Sequence, residues 1–213
     1  MNSPPPLPIR QWILVPGIIT LAITLVRLAG ELLHLAPTFF SRAGGGAGAV
    51  VGIVWLVPIF GIYFARKLGK LGERPASLGK AFGLWAIAMC LLPLWVVIGG
   101  ALGLAQIQIV AGTCLAVFAG VFVVKPGWPA LARVLWAYGL AARIPVMLVM
   151  LVAIFADWGT HYEKGAPGFP VVSPFVKWLL IGVFPQLTLW MGFTVVIGML
   201  FGLTTVAVSG RKA

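Results

Sequence analysis

The stretch TLVRLAGELLHL, residues 24–35, places ionisable side chains inside an apolar run. Arg27, Glu31 and His34 follow one another in it at spacings of four and three residues, and Thr24 precedes Arg27 by three. Because an α-helix advances by about 100° per residue, these spacings keep the side chains on one face. A guanidinium, a carboxylate and an imidazole on one face have the chemistry to hold an anion and to pass a proton.

A second arginine, Arg143, lies in the middle of another apolar segment, two residues before Pro145, and no acidic residue in that helix can pair with it. If its helix packs on the first one, Arg27, Glu31 and Arg143 form a cluster with a surplus positive charge. The planar donor fork of arginine suits a carboxylate, a phosphate or an anionic headgroup. Two alternatives stay open: Arg27 and Glu31 form a purely structural ion pair, or Arg143 bonds carbonyls freed by Pro145.

The composition shows why ionisable side chains inside these apolar runs require a structural or functional explanation. Hydrophobic residues make up 61% of the chain and charged residues 9%, against about 25% charged residues in soluble domains. The mean hydropathy is +1.08. These values indicate an all-α integral membrane protein. A charge at the centre of a bilayer costs about 3 to more than 10 kcal/mol, so the polar stripe should face other helices or water.

Apolar runs close to the roughly 20 residues that cross a bilayer recur along almost the whole chain. They predict a single polytopic membrane domain, residues 1–213, that forms a bundle of about six transmembrane helices. The predicted spans are 12–36, 47–67, 80–101, 104–124, 131–156 and 176–207. The last is too long for a simple crossing, and we expect Pro185 to divide it.

Lysine and arginine are concentrated in alternate loops, which predicts the orientation. The richer set contains Arg10, Arg66, Lys67, Lys70, Arg74, Lys80, Lys125, Arg133, Arg211 and Lys212. The poorer set contains Arg42, Lys164 and Lys177. We therefore predict that both termini face the cytoplasm from the plasma (inner) membrane. The net charge of +11 then meets anionic lipid headgroups, and nucleic acid is not an expected partner.

The loop of residues 157–170 holds Asp157, His161 and Glu163, on the same predicted side as His34. Carboxylates and imidazoles are the ligands that zinc uses, so these four residues are weak candidates for a metal site. No H-E-x-x-H motif or repeated histidine spacing accompanies them. A polar loop explains them more simply, and we predict no cofactor and assign no catalytic residue.

These patterns favour a protein that binds and translocates a small anionic or amphipathic substrate, lipids included, rather than an enzyme. The predicted substrate-binding residues are Thr24, Arg27, Glu31, His34 and Arg143. The arginines would hold the charge, while the carboxylate and the imidazole would balance it or relay a proton.

Two other functions stay open. One is a membrane-embedded, metal-dependent enzyme that modifies lipids, and the other is an accessory subunit of a membrane complex. Membrane lipids are expected partners in each case. The other expected partner is a second copy of the chain or a different membrane subunit.

Overall fold

The computed structural model describes residues 7–44, 49–165 and 169–209. Within these ranges all regular secondary structure is helical. Five helical segments are long and apolar enough to cross a membrane: Ile9–Leu32, Leu78–Ala101, Gln106–Gly127, Pro129–Ala156 and Pro174–Ser209. The chain is therefore a multi-pass helical membrane protein, as its composition predicts.

The helices are numbered along the chain. They are α1 Ile9–Leu32, α2 Leu56–Lys70, α3 Leu78–Ala101, α4 Gln106–Val124, α5 Pro129–Ala156, α6 Pro174–Lys177, α7 Phe184–Leu187 and α8 Leu189–Ser209. Short 3₁₀ turns at Ile53–Trp55 and Lys125–Gly127 precede α2 and follow α4. A π-helix, Trp178–Val183, joins α6 to α7 just before Pro185. The π-helix and the break at Thr188 make the last segment irregular on both sides of this proline, which has no N–H for a helical hydrogen bond.

The second predicted span, 47–67, corresponds to the shorter helix α2. This helix has 15 residues, or about 22 Å, against a hydrocarbon core of about 30 Å. The chain at 49–52 is not helical, and residues 47 and 48 lie outside the described ranges.

The count of six crossings and the cytoplasmic orientation of both termini stay predictions. Arg211 and Lys212, which enter the orientation argument, also lie outside the described residues.

Helix α8 is the centre of the bundle and packs against α2, α4 and α5. Its contact with α2 is close because glycines face each other: a Cβ added to Gly61 would lie 2.6 Å from the carbonyl oxygen of Gly198. Phe64, Leu131 and Leu203 fill the neighbouring core and are fully buried. Helix α1, in contrast, packs mainly on α5. This difference leaves a space between α1 and α4, and the polar stripe of α1 borders it.

Candidate functional site

A cavity of about 450 Å³ lies between α1, α4, α5 and the segment 180–190, and it is closed on one side by the loop that follows α5. Most of its wall is apolar. Arg27, Arg143, His161 and Lys164 supply basic groups, and no carboxylate is among the described residues that line it. The cavity is thus amphipathic and positively charged, and its two arginines come from the two helices that the sequence singled out.

The stripe on α1 forms as predicted as far as Glu31. Arg27 Nε donates a hydrogen bond to Glu31 Oε1 at 2.9 Å, and its Nη2 donates to the carbonyl oxygen of Ser41 at 3.2 Å. Arg27 is 7% exposed and Glu31 is 1% exposed. Thr24 and Arg27 line the cavity, whereas Glu31 does not. The carboxylate therefore neutralises Arg27 without itself facing a ligand.

The same carboxylate holds the loop after α5. The backbone N–H of His161 donates to Glu31 Oε2 at 2.8 Å, and His161 Nδ1 lies 2.5 Å from Glu31 Oε1. Tyr162 adds a hydrogen bond from its hydroxyl to the carbonyl oxygen of Thr24, 3.2 Å away. Burial lowers the pKa of His161, although its bond to Glu31 opposes the shift. A neutral imidazole that donates from Nδ1 to an already paired carboxylate is consistent with this direction.

His34 lies outside this arrangement, which corrects the predicted stripe. Helix α1 ends at Leu32, and His34 has a left-handed backbone with a φ of 54°. Its side chain is exposed, and its Nε2 lies 3.3 Å from Nη1 of Arg42. The helical spacing no longer applies beyond the end of the helix, so His34 does not reach the cavity. The histidine beside Glu31 is His161, which comes from a distant part of the sequence.

Arg143 has very different surroundings from Arg27. It is 3% exposed and lines the cavity. Its Nη2 donates to Thr194 Oγ1 at 3.3 Å, and its Cζ lies 5.2 Å from the ring centroid of Trp190. Its Nε has no hydrogen-bond partner. Across the described ranges no carboxylate forms an ion pair with Arg143, and its hydrogen bond goes to a hydroxyl rather than to a carbonyl freed by Pro145.

The residues around Arg143 were not predicted. Gln186, Trp190 and Thr194 follow one another at spacings of four residues along the last segment. Gln186 lines the cavity and is 7% exposed. Its Nε2 lies 3.9 Å from Met150 Sδ, and its Oε1 has no hydrogen-bond partner. The regular spacing of these side chains in a mostly apolar segment is the signal that identifies them.

The four metal candidates are not assembled into one site. Asp157 ends α5 with a left-handed backbone, and Glu163 accepts a hydrogen bond from the backbone of Gly159. His161 is bonded to Glu31, and His34 lies near Arg42. In residues 7–44, 49–165 and 169–209, no three His, Cys, Asp or Glu side chains form a group that could hold a metal ion.

Comparison with known proteins identifies no relative: no family model, curated protein or solved structure matches the chain. The chemistry of the cavity is therefore the guide to function. Its most informative feature is the contrast between an arginine that Glu31 neutralises and an arginine whose Nε has no hydrogen-bond partner.

Proposed function

We propose that the protein binds an anionic amphiphile, with an anionic lipid as the foremost class, and translocates it. The observation that carries this proposal is Arg143, a cation 3% exposed on the cavity wall. Burying a charge is costly unless an opposite charge or several hydrogen bonds compensate it. A phosphate or carboxylate in the cavity would complete the donor fork of this guanidinium.

The wall of the cavity supports the amphipathic part of the proposal. Val54, Ile107, Val110 and Leu180 line it, and all of them are exposed at the protein surface. In a bilayer such apolar side chains face acyl chains. A headgroup at Arg143 with its hydrocarbon chain extended past these residues would leave no charge in lipid.

Translocation requires that the cavity open and close. We propose six crossings with both termini in the cytoplasm of the plasma membrane, which would place the loop that holds His161 at the outer face. Docking of His161 on Glu31 would close the cavity there, and release of this loop would let the ligand exchange. Glu31 then acts as the docking point of the loop, and Arg143 acts as the anchor of the ligand.

The proposal is tested by native mass spectrometry on the gently purified protein, which reports the lipids that remain bound. We expect an anionic lipid on the parent protein and its loss from Arg143→Met. Arg42→Met is the matched control, because Arg42 is exposed and does not line the cavity. Equal occupancy in all three proteins would contradict the assignment of Arg143 as the anchor.

Translocation of the lipid between leaflets is tested separately, in vesicles that contain fluorescent phosphatidylglycerol and the purified protein. A membrane-impermeant reductant bleaches only the outer leaflet. The parent protein should expose the inner-leaflet lipid to the reductant, whereas Arg143→Met should protect it as protein-free vesicles do. Protection by the parent protein would reduce the proposal to binding alone.

A further inference from the structure

The cavity contains an unused acceptor, Gln186 Oε1, as well as an unused donor, Arg143 Nε. Gln186 is 7% exposed, lines the cavity, and has no hydrogen-bond partner for Oε1. The sulfur of Met150, a weak acceptor, lies on the Nε2 side of the amide at 3.9 Å. The amide is therefore oriented with its nitrogen towards the sulfur. A buried amide oxygen that makes no hydrogen bond calls for an explanation, and a donor on the ligand would supply one.

We propose that the ligand is a phospholipid whose headgroup carries a free hydroxyl close to its phosphate, with the phosphate on Arg143 and the hydroxyl on Gln186. This inference rests on the proposed function and specifies its substrate class. Phosphatidylglycerol has this chemistry. An anionic lipid of the same charge without a hydroxyl would satisfy the arginine and leave the glutamine oxygen buried and unpaired.

The positions of the two polar groups support a single headgroup that contacts both. Arg143 stacks on Trp190 and donates to Thr194, and Gln186 lies four residues before Trp190, across the break at Thr188. Arg143, Gln186 and Trp190 all line the same cavity of about 450 Å³. The phosphate and the hydroxyl of an adjoining glycerol belong to one short headgroup, so a single ligand in this cavity can present one group to each side chain.

The apolar wall argues for the lipid over its free headgroup. Ile107 and Val110 line the cavity and are exposed at its edge, where a soluble glycerol phosphate has nothing to bury. Burial of an acyl chain against such side chains adds affinity in proportion to the apolar area covered. We therefore expect the intact lipid to bind far more tightly than sn-glycerol 3-phosphate.

The test is a competition measured by native mass spectrometry on the full-length protein in neutral detergent. Phosphatidylglycerol and phosphatidylmethanol with identical acyl chains both carry a phosphodiester anion, and only the first has hydroxyls. The parent protein should prefer phosphatidylglycerol by on the order of tenfold. Gln186→Leu should bind the two lipids equally, while Arg143→Met should lose both. Gln11→Leu, on the exposed first turn of α1, should keep the preference of the parent protein.

The outcomes separate the two proposals. If the parent protein binds both lipids equally and Arg143→Met loses both, the role of Gln186 is overturned and the proposed function stands. If the parent protein binds neither lipid, both proposals are overturned. If sn-glycerol 3-phosphate displaces phosphatidylglycerol at equal concentration, the ligand is a soluble phosphate and the lipid assignment is overturned. The comparison in the parent protein needs no variant, so misfolding of Gln186→Leu leaves the test intact.

Discussion

Two arginines, Arg27 and Arg143, line one cavity but have very different surroundings. Arg27 is paired with Glu31 and donates to the carbonyl of Ser41. Arg143 is as deeply buried, yet in the described parts of the chain it donates only to a hydroxyl and stacks on an indole ring. The comparison shows that burial alone does not identify a binding residue. Under the proposed function, Arg143 would hold the ligand because no carboxylate in the described residues pairs with it, whereas Arg27 would hold the structure through Glu31.

The largest effect on stability is expected at the neutralised arginine. Arg27→Met leaves the carboxylate of Glu31 buried with His161 as its remaining partner. Loss of one partner from a buried ion pair costs about 3 to 5 kcal/mol. Thermal unfolding in detergent measures the loss. The double variant Arg27→Met/Glu31→Gln should recover part of it, and additive losses would argue against this coupling.

A smaller loss is expected for Glu31→Gln, because the amide oxygen of glutamine can still accept a hydrogen bond from Arg27 and only the negative charge is removed. Glu31→Gln keeps the shape of the side chain but weakens its bonds to Arg27 and to the loop at His161. Charge-assisted hydrogen bonds contribute about 1.5 to 3 kcal/mol each, so the loop should undock more often. Hydrogen exchange of residues 157–165 reports this directly. Protection equal to that of the parent protein would show that Glu31 does not hold the loop.

Replacement of Arg143 should have the opposite effect on stability. Arg143→Met replaces a buried cation that has no carboxylate partner in the described residues by an apolar side chain of similar length. We expect the empty protein to keep its stability within about 1 kcal/mol or to gain some, because desolvation of the charge is no longer needed. Unfolding of delipidated samples measures this. A loss as large as that of Arg27→Met would mean that Arg143 is a structural residue.

The smallest effect is a pH dependence of loop docking. Burial lowers the pKa of His161 below its ordinary value, which is about 6.5. The undocked loop therefore binds the proton more readily. Docking is then fully favourable above about pH 6.5 and weakens as the pH falls below that value. Hydrogen exchange of residues 157–165 between pH 7.5 and 5 should show this trend in the parent protein and in His34→Gln. His161→Asn should show a weaker dependence, and an unchanged one would assign the effect to another group.

The elements that the sequence predicts well are those set by local periodicity. Long apolar runs identify α1, α3, α4, α5 and the last segment, and the four-residue spacing identifies the contact of Arg27 with Glu31. The late start of α2 at Leu56 follows a glycine-rich stretch that disfavours helix. Hydropathy alone does not register this conformational preference.

Features set by distant contacts were beyond the sequence. His161 meets Glu31 across 130 positions, whereas His34, only three residues from Glu31, leaves the stripe because α1 ends at Leu32. The four-residue spacing of Gln186, Trp190 and Thr194 is visible in the sequence, but only the fold shows that Gln186 lines the same cavity as Arg143. Local spacing places side chains on a helix face, but the packing of the helices decides which faces share a cavity.

The central claim, that Arg143 awaits an anionic lipid while Arg27 is already satisfied, is tested most directly by lipid-induced stabilisation. Phosphatidylglycerol is titrated into delipidated parent protein, Arg143→Met and Arg27→Met, and the Tm of each is recorded. Binding to the folded state raises the Tm with ligand concentration. The account predicts a rise for the parent protein, a rise from a lower starting Tm for Arg27→Met, and a flat response for Arg143→Met. An equal rise in Arg143→Met and the parent protein would contradict it.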